Sequence, residues 1–222
     1  MKKFALIVAG GIGSRMNTTI PKQFIEINER PVLMHTFDVF FNFDPKLKFI
    51  LVLPKDQIKL WNSLCDKHQF KIEYEIAFGG ETRFHSVKNG LDLISEDGIV
   101  FIHDGVRPLV SAQTLQNCFE TAAVKGNALP VIPVSESVRF ADDSGNQPVD
   151  RAKYFLVQTP QTFQTKLIQK AYMKAKSDLF TDDATVLESM GETIHLVEGN
   201  RENIKITYPE DLVFAKSFLP RQ

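Results

Sequence analysis

Cysteine is nearly absent from this sequence: Cys65 and Cys118 stand far apart, in no CxxC or CxxH spacing. A disulfide framework and a structural zinc site are thereby excluded as organising devices, and both thiols read as buried or inert. A surplus of positive charge is lacking as well. The 26 Lys and Arg are balanced by 27 Asp and Glu, a formal net charge of -1, which argues against a general nucleic-acid binder and leaves cationic chemistry to local clusters. No stretch approaches the roughly 20 apolar residues of a membrane-spanning helix, so no membrane partner is expected. Met1-Lys2-Lys3 has the look of a secretory leader, but the apolar run after it, 4–9, is too short and stops at Gly10-Gly11. A cytoplasmic protein is expected. Internal repeats, low-complexity runs and composition shifts that would mark a second domain are also lacking.

What is present suffices for one large α/β domain over 1–222, with 43% of the residues hydrophobic. Short β-rich runs at 4–9, 49–53, 71–77, 99–103, 128–134 and 193–197 alternate with longer helical patterns, the rhythm of a mainly parallel, Rossmann-like sheet flanked by helices. Leu33, Phe37, Phe40 and Phe41 fall at i, i+4, i+7 and i+8 behind Pro31, a residue suited to a first helical turn. These residues and Trp61 are assigned to the core. One segment breaks the rhythm: residues 137–140 and 154–157 flank Asp142-Asp143-Ser144-Gly145-Asn146-Gln147-Pro148, a turn-rich run. It predicts a projecting β-hairpin arm at about 135–158. A lone hairpin is marginal in water, so the arm is expected to pack on its counterpart in a homodimer.

After the first strand comes Ala9-Gly10-Gly11-Ile12-Gly13-Ser14-Arg15, whose glycines let backbone N–H groups approach phosphate oxygens. A dinucleotide fingerprint counted from Gly11 and Gly13 would put Met16 where close helix packing wants a small residue. A Walker A loop is missing altogether. Close behind the glycines stand Arg15 and then Pro21-Lys22-Gln23, giving two fixed cations that suit a polyphosphate in nucleotidyl transfer. From spacing alone, a tight βα turn with solvated cations stays open.

Further constellations bear on the choice. The run 99–103 leads into Asp104-Gly105-Val106-Arg107-Pro108 at the carboxyl edge of the sheet, where open α/β folds bind ligands. Asp104 suits a substrate or Mg²⁺ contact, or else an N-cap or a salt bridge to Arg107. Gly79-Gly80-Glu81-Thr82-Arg83-Phe84-His85-Ser86 joins a strand to a helix and can shape a base pocket. Thr181-Asp182-Asp183 opens another helix, with Thr181 as a site hydroxyl or a cap. Lys205, in Asn203-Ile204-Lys205-Ile206-Thr207, is a site cation or an exposed strand cation, and a last helix should begin at Pro209.

Taken together, AGGIGSRM, PKQF, GGETRFHSV, HDGVRP, VDR, QTPQ, FTDDA and NIKIT, in this order over nearly the whole chain, resemble the 2-C-methyl-D-erythritol 4-phosphate cytidylyltransferase family. The resemblance implies a nucleotidyltransferase that moves CMP from CTP to that polyol phosphate, releasing pyrophosphate, with Mg²⁺ accompanying the triphosphate. By motif position, Arg15 and Lys22 look like transition-state stabilisers, and Arg151 and Lys205 like the pair that positions the acceptor phosphate. The glycine loop, with Ala9, Gly10, Gly11 and Gly13, would hold the triphosphate. Gly80, Glu81, Ser86, Asp104, Gly105 and Arg107 would surround cytidine and acceptor, with hydroxyls from Ser137, Thr181 and Thr207. In the family the arm interlocks two subunits, so Arg151 would serve the neighbour's site. Many relatives carry Asp at Glu81, Thr at Ser137 and Ala at Gly105, which alters reach at the first two and suggests a looser loop at the third. A ribitol-5-phosphate cytidylyltransferase shares the first two motifs and is the nearest alternative. A nucleotide-binding regulator or dehydrogenase on the same scaffold is the alternative of another class.

Overall fold

A computed structural model of the chain describes residues 1–10 and 20–219. In chain order it places β1 (Lys2–Val8), a short ladder of β2 (Glu26–Ile27) and β3 (Arg30–Pro31), α1 (Val32–Phe43), β4 (Lys48–Leu53), α2 (Ile58–Lys67), β5 (Tyr74–Phe78), α3 (Arg83–Leu91), β6 (Gly98–Asp104) and α4 (Ala112–Lys125). Next come β7 (Asn127–Pro133), β8 (Arg139–Asp142), β9 (Gly145–Pro148), β10 (Phe155–Val157), β11 (Gln161–Gln164), α5 (Thr165–Lys174), α6 (Asp183–Glu188), β12 (Leu196–Glu198) and α7 (Pro209–Phe218). The main sheet runs β10-β7-β11-β6-β1-β4-β5, with β12 added beside β7. Strands β6, β1, β4 and β5 are mutually parallel, whereas β11 lies antiparallel between β6 and β7.

Helices cover both faces, which is why the central strands read as unbroken apolar runs. Alternate residues of β1 part company: Ala5 and Ile7 face Leu33, Phe37 and Phe40 of α1, Trp61 of α2 and Leu115 of α4, while Phe4 and Leu6 face Val87 and Leu91 of α3 and Ile168 of α5. Trp61 belongs to the core as expected, fully buried, its indole N–H donating to Tyr74 Oη at 2.9 Å. Pro31 stands just outside α1 at its N-cap, rather than in the first turn.

Several boundaries differ from expectation. The strand expected at 71–77 begins only at Tyr74, and the one at 193–197 is displaced to Leu196–Glu198. The antiparallel β11 carried no expectation. In the arm, the turn is tighter: β8 pairs with β9, Asp142 opposite Gly145. Ser144 N–H donates to Asp142 Oδ1 at 2.9 Å and Gly145 adopts φ +136, a conformation that favours glycine. The chain therefore turns back at Gly145, well before the 154 that the composition of 142–148 suggested. Residues 154–157 are not the arm's second strand, because β10 joins the edge of the main sheet, Leu156 opposite Ile132.

Candidate active site

The carboxyl ends of β1, β4 and β6 are tied level: Ala9 N–H donates to Val52 O at 2.9 Å and Gly105 N–H to Val8 O at 2.8 Å. Glycine at 105 sits in close quarters: a Cβ there would lie 2.9 Å from Leu33 Cδ1 and 3.0 Å from the Ala9 Cβ, so the Ala of many relatives needs those side chains to give slightly. Gly80 is constrained further, because an added Cβ would fall 2.3 Å from the His85 Cβ. Its N–H donates to the buried Ser86 Oγ at 3.0 Å, and Thr82 caps α3, which sets Gly80 and Glu81 at the rim of the cleft.

Lys22 reaches the same edge on a 3₁₀ turn, Lys22–Phe24. Buried Gln23 anchors that turn, its Nε2 donating to Ala9 O at 2.9 Å and to Gln57 Oε1 at 2.6 Å. Lys22 Nζ donates to Ile206 O at 2.9 Å, joining the PKQF segment to NIKIT. Lys205 lies in a segment outside any strand, and its Nζ stands 3.1 Å from Asp104 Oδ2. Arg107 Nε approaches the same oxygen at 3.2 Å while its Nη1 donates to Asn203 O at 2.8 Å. Asp104 is thus the salt-bridged residue and not a helix cap. Burial alone would raise its carboxyl, but Lys205, Arg83 and Arg107 together hold it well below the usual carboxylate range.

Two adjoining cavities result. The first, about 450 Å³, is walled by Ala9, Gly10, Lys22, Gly80, Glu81, Ser86 and Thr207, within the size range of small-molecule sites. The second, about 340 Å³, is walled by Arg107, Thr159, Gln161 and Thr181. Arg83, Asp104 and Lys205 line both. Thr181 is not the helix cap; Asp182 is, accepting from Thr185 N–H at 2.9 Å, which leaves Thr181 exposed at the second cavity. Gly105 supports the loop from behind. Ser137 and Arg151 are exposed on the arm, Arg151 donating to Ser135 O, and neither lines these cavities. Gly11, Gly13 and Arg15 lie outside the described residues.

Arg83 was overlooked by sequence reasoning. Its Nη1 and Nη2 grip the fully buried Asp183 at 2.8 and 2.7 Å, and Tyr172 Oη donates to the same carboxylate at 2.6 Å. Burial would lower the guanidinium's affinity for its proton, but Asp183, with Asp104 and Tyr172, more than offsets it and holds the group above its ordinary range. The only sequence signal was its place inside GGETRFHSV, because its partner stands 100 residues away.

Gly10, Gly80 and Gly105 and fixed cations at the carboxyl edge of a parallel sheet, around a cleft in two halves, suit a nucleotide polyphosphate and a second anion, the arrangement a nucleotidyltransferase needs. Comparison narrows the class. The family model for IspD, 2-C-methyl-D-erythritol 4-phosphate cytidylyltransferase, matches residues 4–221, and the chain belongs to this family. It is 53% identical to the enzyme of that name from Bacteroides fragilis, covering 99% of this chain and 100% of the relative, and 46% identical to that of Porphyromonas gingivalis, covering 98% of each. The crystal structure of the Thermus thermophilus enzyme is similar with a TM-score of 0.80 at 30% identity over 98% of both chains. The bifunctional IspDF from Campylobacter jejuni superposes with a TM-score of 0.82 at 30% identity, over 96% of this chain and 54% of that one.

Proposed function

We propose that the two cavities divide the substrates of the family's reaction, CTP in the first and the polyol phosphate in the second. The chain transfers CMP from CTP to 2-C-methyl-D-erythritol 4-phosphate, giving 4-diphosphocytidyl-2-C-methyl-D-erythritol and pyrophosphate, a step of non-mevalonate isoprenoid biosynthesis. The observation that carries the division is the common wall: Asp104 and Lys205 face both cavities. An acceptor phosphate held there would meet the α-phosphorus of a nucleotide next door. A new bond forms from acceptor oxygen to that phosphorus as the bond to the pyrophosphate oxygen breaks. The acceptor is already anionic, so two mutually repelling anions need orientation more than a strong base. Lys22 is read as receiving charge on the leaving pyrophosphate, a role that motif position alone gives to Arg15 as well, and Lys205 as holding the attacking phosphate.

Among the described residues no cluster of three or more metal-ligating side chains occurs. Mg²⁺ is expected to ride on the substrate phosphates, and Asp104, a carboxylate facing both cavities, could supply one protein ligand. Bound this way, it would neutralise phosphate charge.

The cleft's second half lacks the arm residues expected of it, and the exposed arm is the surface on which a second copy would dock. A homodimer in which the neighbour lends Arg151 and Ser137 accounts for both. Unpaired Cys65 and Cys118 accord with a cytoplasmic location. The test of the acceptor is direct: purified protein with CTP and Mg²⁺ should release pyrophosphate faster with methylerythritol phosphate than with ribitol 5-phosphate, and the reverse order would overturn the assignment.

A further inference from the structure

His103 lies one residue before Asp104 at the end of β6, and its ring is fully buried, packed edge-on against Phe40 at 4.9 Å between centroids. Neither cavity touches it. Its two nitrogens are nevertheless both engaged: Nε2 lies 3.0 Å from Arg107 O, and Nδ1 lies 3.0 Å from Thr159 Oγ1. A carbonyl only accepts, so Nε2 carries the hydrogen and Nδ1 presents a lone pair. The Thr159 hydroxyl must then donate to Nδ1, and its own lone pair accepts the Asp104 N–H at 3.1 Å. Each donor in this chain meets one acceptor.

We infer that His103 is a positioning residue for cytidylyl transfer: one buried imidazole, partly through Thr159, anchors the main chain at both ends of the turn that carries Asp104 and Arg107. The turn's own closure is a single bond, Arg107 N–H to Asp104 O at 3.1 Å. Core packing alone does not account for histidine here, because an aliphatic side chain would fill the space yet strand the Arg107 carbonyl and the Thr159 hydroxyl. Arg107, whose carbonyl the ring holds directly, lines the acceptor cavity alone, and Asp104, held through Thr159, lines both, so loosening the turn should be felt more by the acceptor than by the nucleotide. The inference rests on the division of substrates proposed above.

The test compares His103→Leu, His103→Gln and Arg107→Met by steady-state kinetics in both substrates. Loss of one such bond with its partner left buried corresponds to roughly tenfold. His103→Leu should raise the acceptor KM by about that factor and the CTP KM by less than about twofold, while His103→Gln, which returns an N–H near the Nε2 position, should recover part of the loss. A residue that merely supports folding would lower active yield and leave both KM values alone, and that result overturns the inference. If Arg107→Met raises the acceptor KM but His103→Leu does not, the role of His103 is wrong and the division of substrates stands. If Arg107→Met leaves the acceptor KM unchanged, both fail. Should His103→Leu not fold, His103→Gln against His103→Met carries the comparison, with the amide-bearing variant expected to show the lower acceptor KM and equal values overturning the role. Long-range ¹H–¹⁵N spectra of the histidine-labelled protein should show His103 as the Nε2–H tautomer, and an Nδ1–H ring would overturn the assignment.

Discussion

The cleft wall and the arm each carry a cation from the family's motifs, in opposite surroundings. Lys205 meets a buried carboxylate that Arg107 also holds, and the turn behind it is pinned by main-chain and side-chain hydrogen bonds. Arg151 sits in solvent and donates to a carbonyl of its own arm. The apolar residues differ in the same sense. Phe101 and Ile102 of β6 are fully buried, whereas Phe140 and Leu156, on and beside the arm, are 52% and 54% exposed. One chain builds the wall around Asp104 by itself; the arm is a surface without a lining. Clustered exposed apolar groups mark interaction surfaces, and a two-stranded ladder gains little stability alone.

The contrast can be broken from either side. The largest effect is expected at the buried pair: Arg83→Leu leaves Asp183 charged and uncompensated in the interior, costing about 3–5 kcal/mol, read as a lowered denaturation midpoint. An unchanged midpoint would mean that the pair is not a support of the wall. A second test is pH. Burial holds His103 at about 4 against an ordinary 6.5 and lowers His35 as well, so the unfolded chain takes up protons that the folded one refuses. Stability is then whole above about pH 6.5 and declines as pH falls toward 4, by on the order of 3 kcal/mol from His103. Urea melts at stepped pH check it, and a flat profile across that window would refute it. In the cleft, Lys22→Ala should lower turnover by about 10² or more, the scale of one lost transition-state donor. Wild-type pyrophosphate release from that variant would remove Lys22 from the chemistry.

The smallest effect tests the arm. Arg151→Ala and Lys22→Ala should each be nearly inactive, yet mixing them in equal amounts should restore about a quarter of wild-type activity if Arg151 serves the neighbour's site, since half the dimers then carry one intact site. No recovery on mixing would place the whole site within one chain and leave the arm's exposure without a catalytic meaning.

Much of the fold was legible because its signals are local. The unbroken apolar runs of β1, β4 and β6 predicted a sheet covered on both faces, and Leu33, Phe37 and Phe40 form the buried stripe of α1 as expected, whereas Phe41, also assigned to the core, is exposed. Pro209 does open α7. The errors share a cause. Residues 154–157 have the composition of a hairpin strand, but which edge they join depends on what the finished sheet leaves open. Thr181 and Asp182 are both plausible caps by type, and only backbone geometry chose Asp182. Arg83 sits within GGETRFHSV, but its meaning depends on a carboxylate 100 residues away.

The sequence by itself determined the order and type of most elements, the glycine loop and the set of charged residues available for transfer, since these come from periodicity, backbone freedom and side-chain chemistry. The tertiary structure decided which of those charges share a wall. Asp104 gathers Lys205, Arg107 and Arg83 around it only because folding closes gaps of up to about a hundred residues and removes water between them, and ion pairing is strong only at short range and low dielectric. For the same reason Arg151 stays outside the cleft: a cation on an arm that this chain does not cover has no wall to join until another surface meets it.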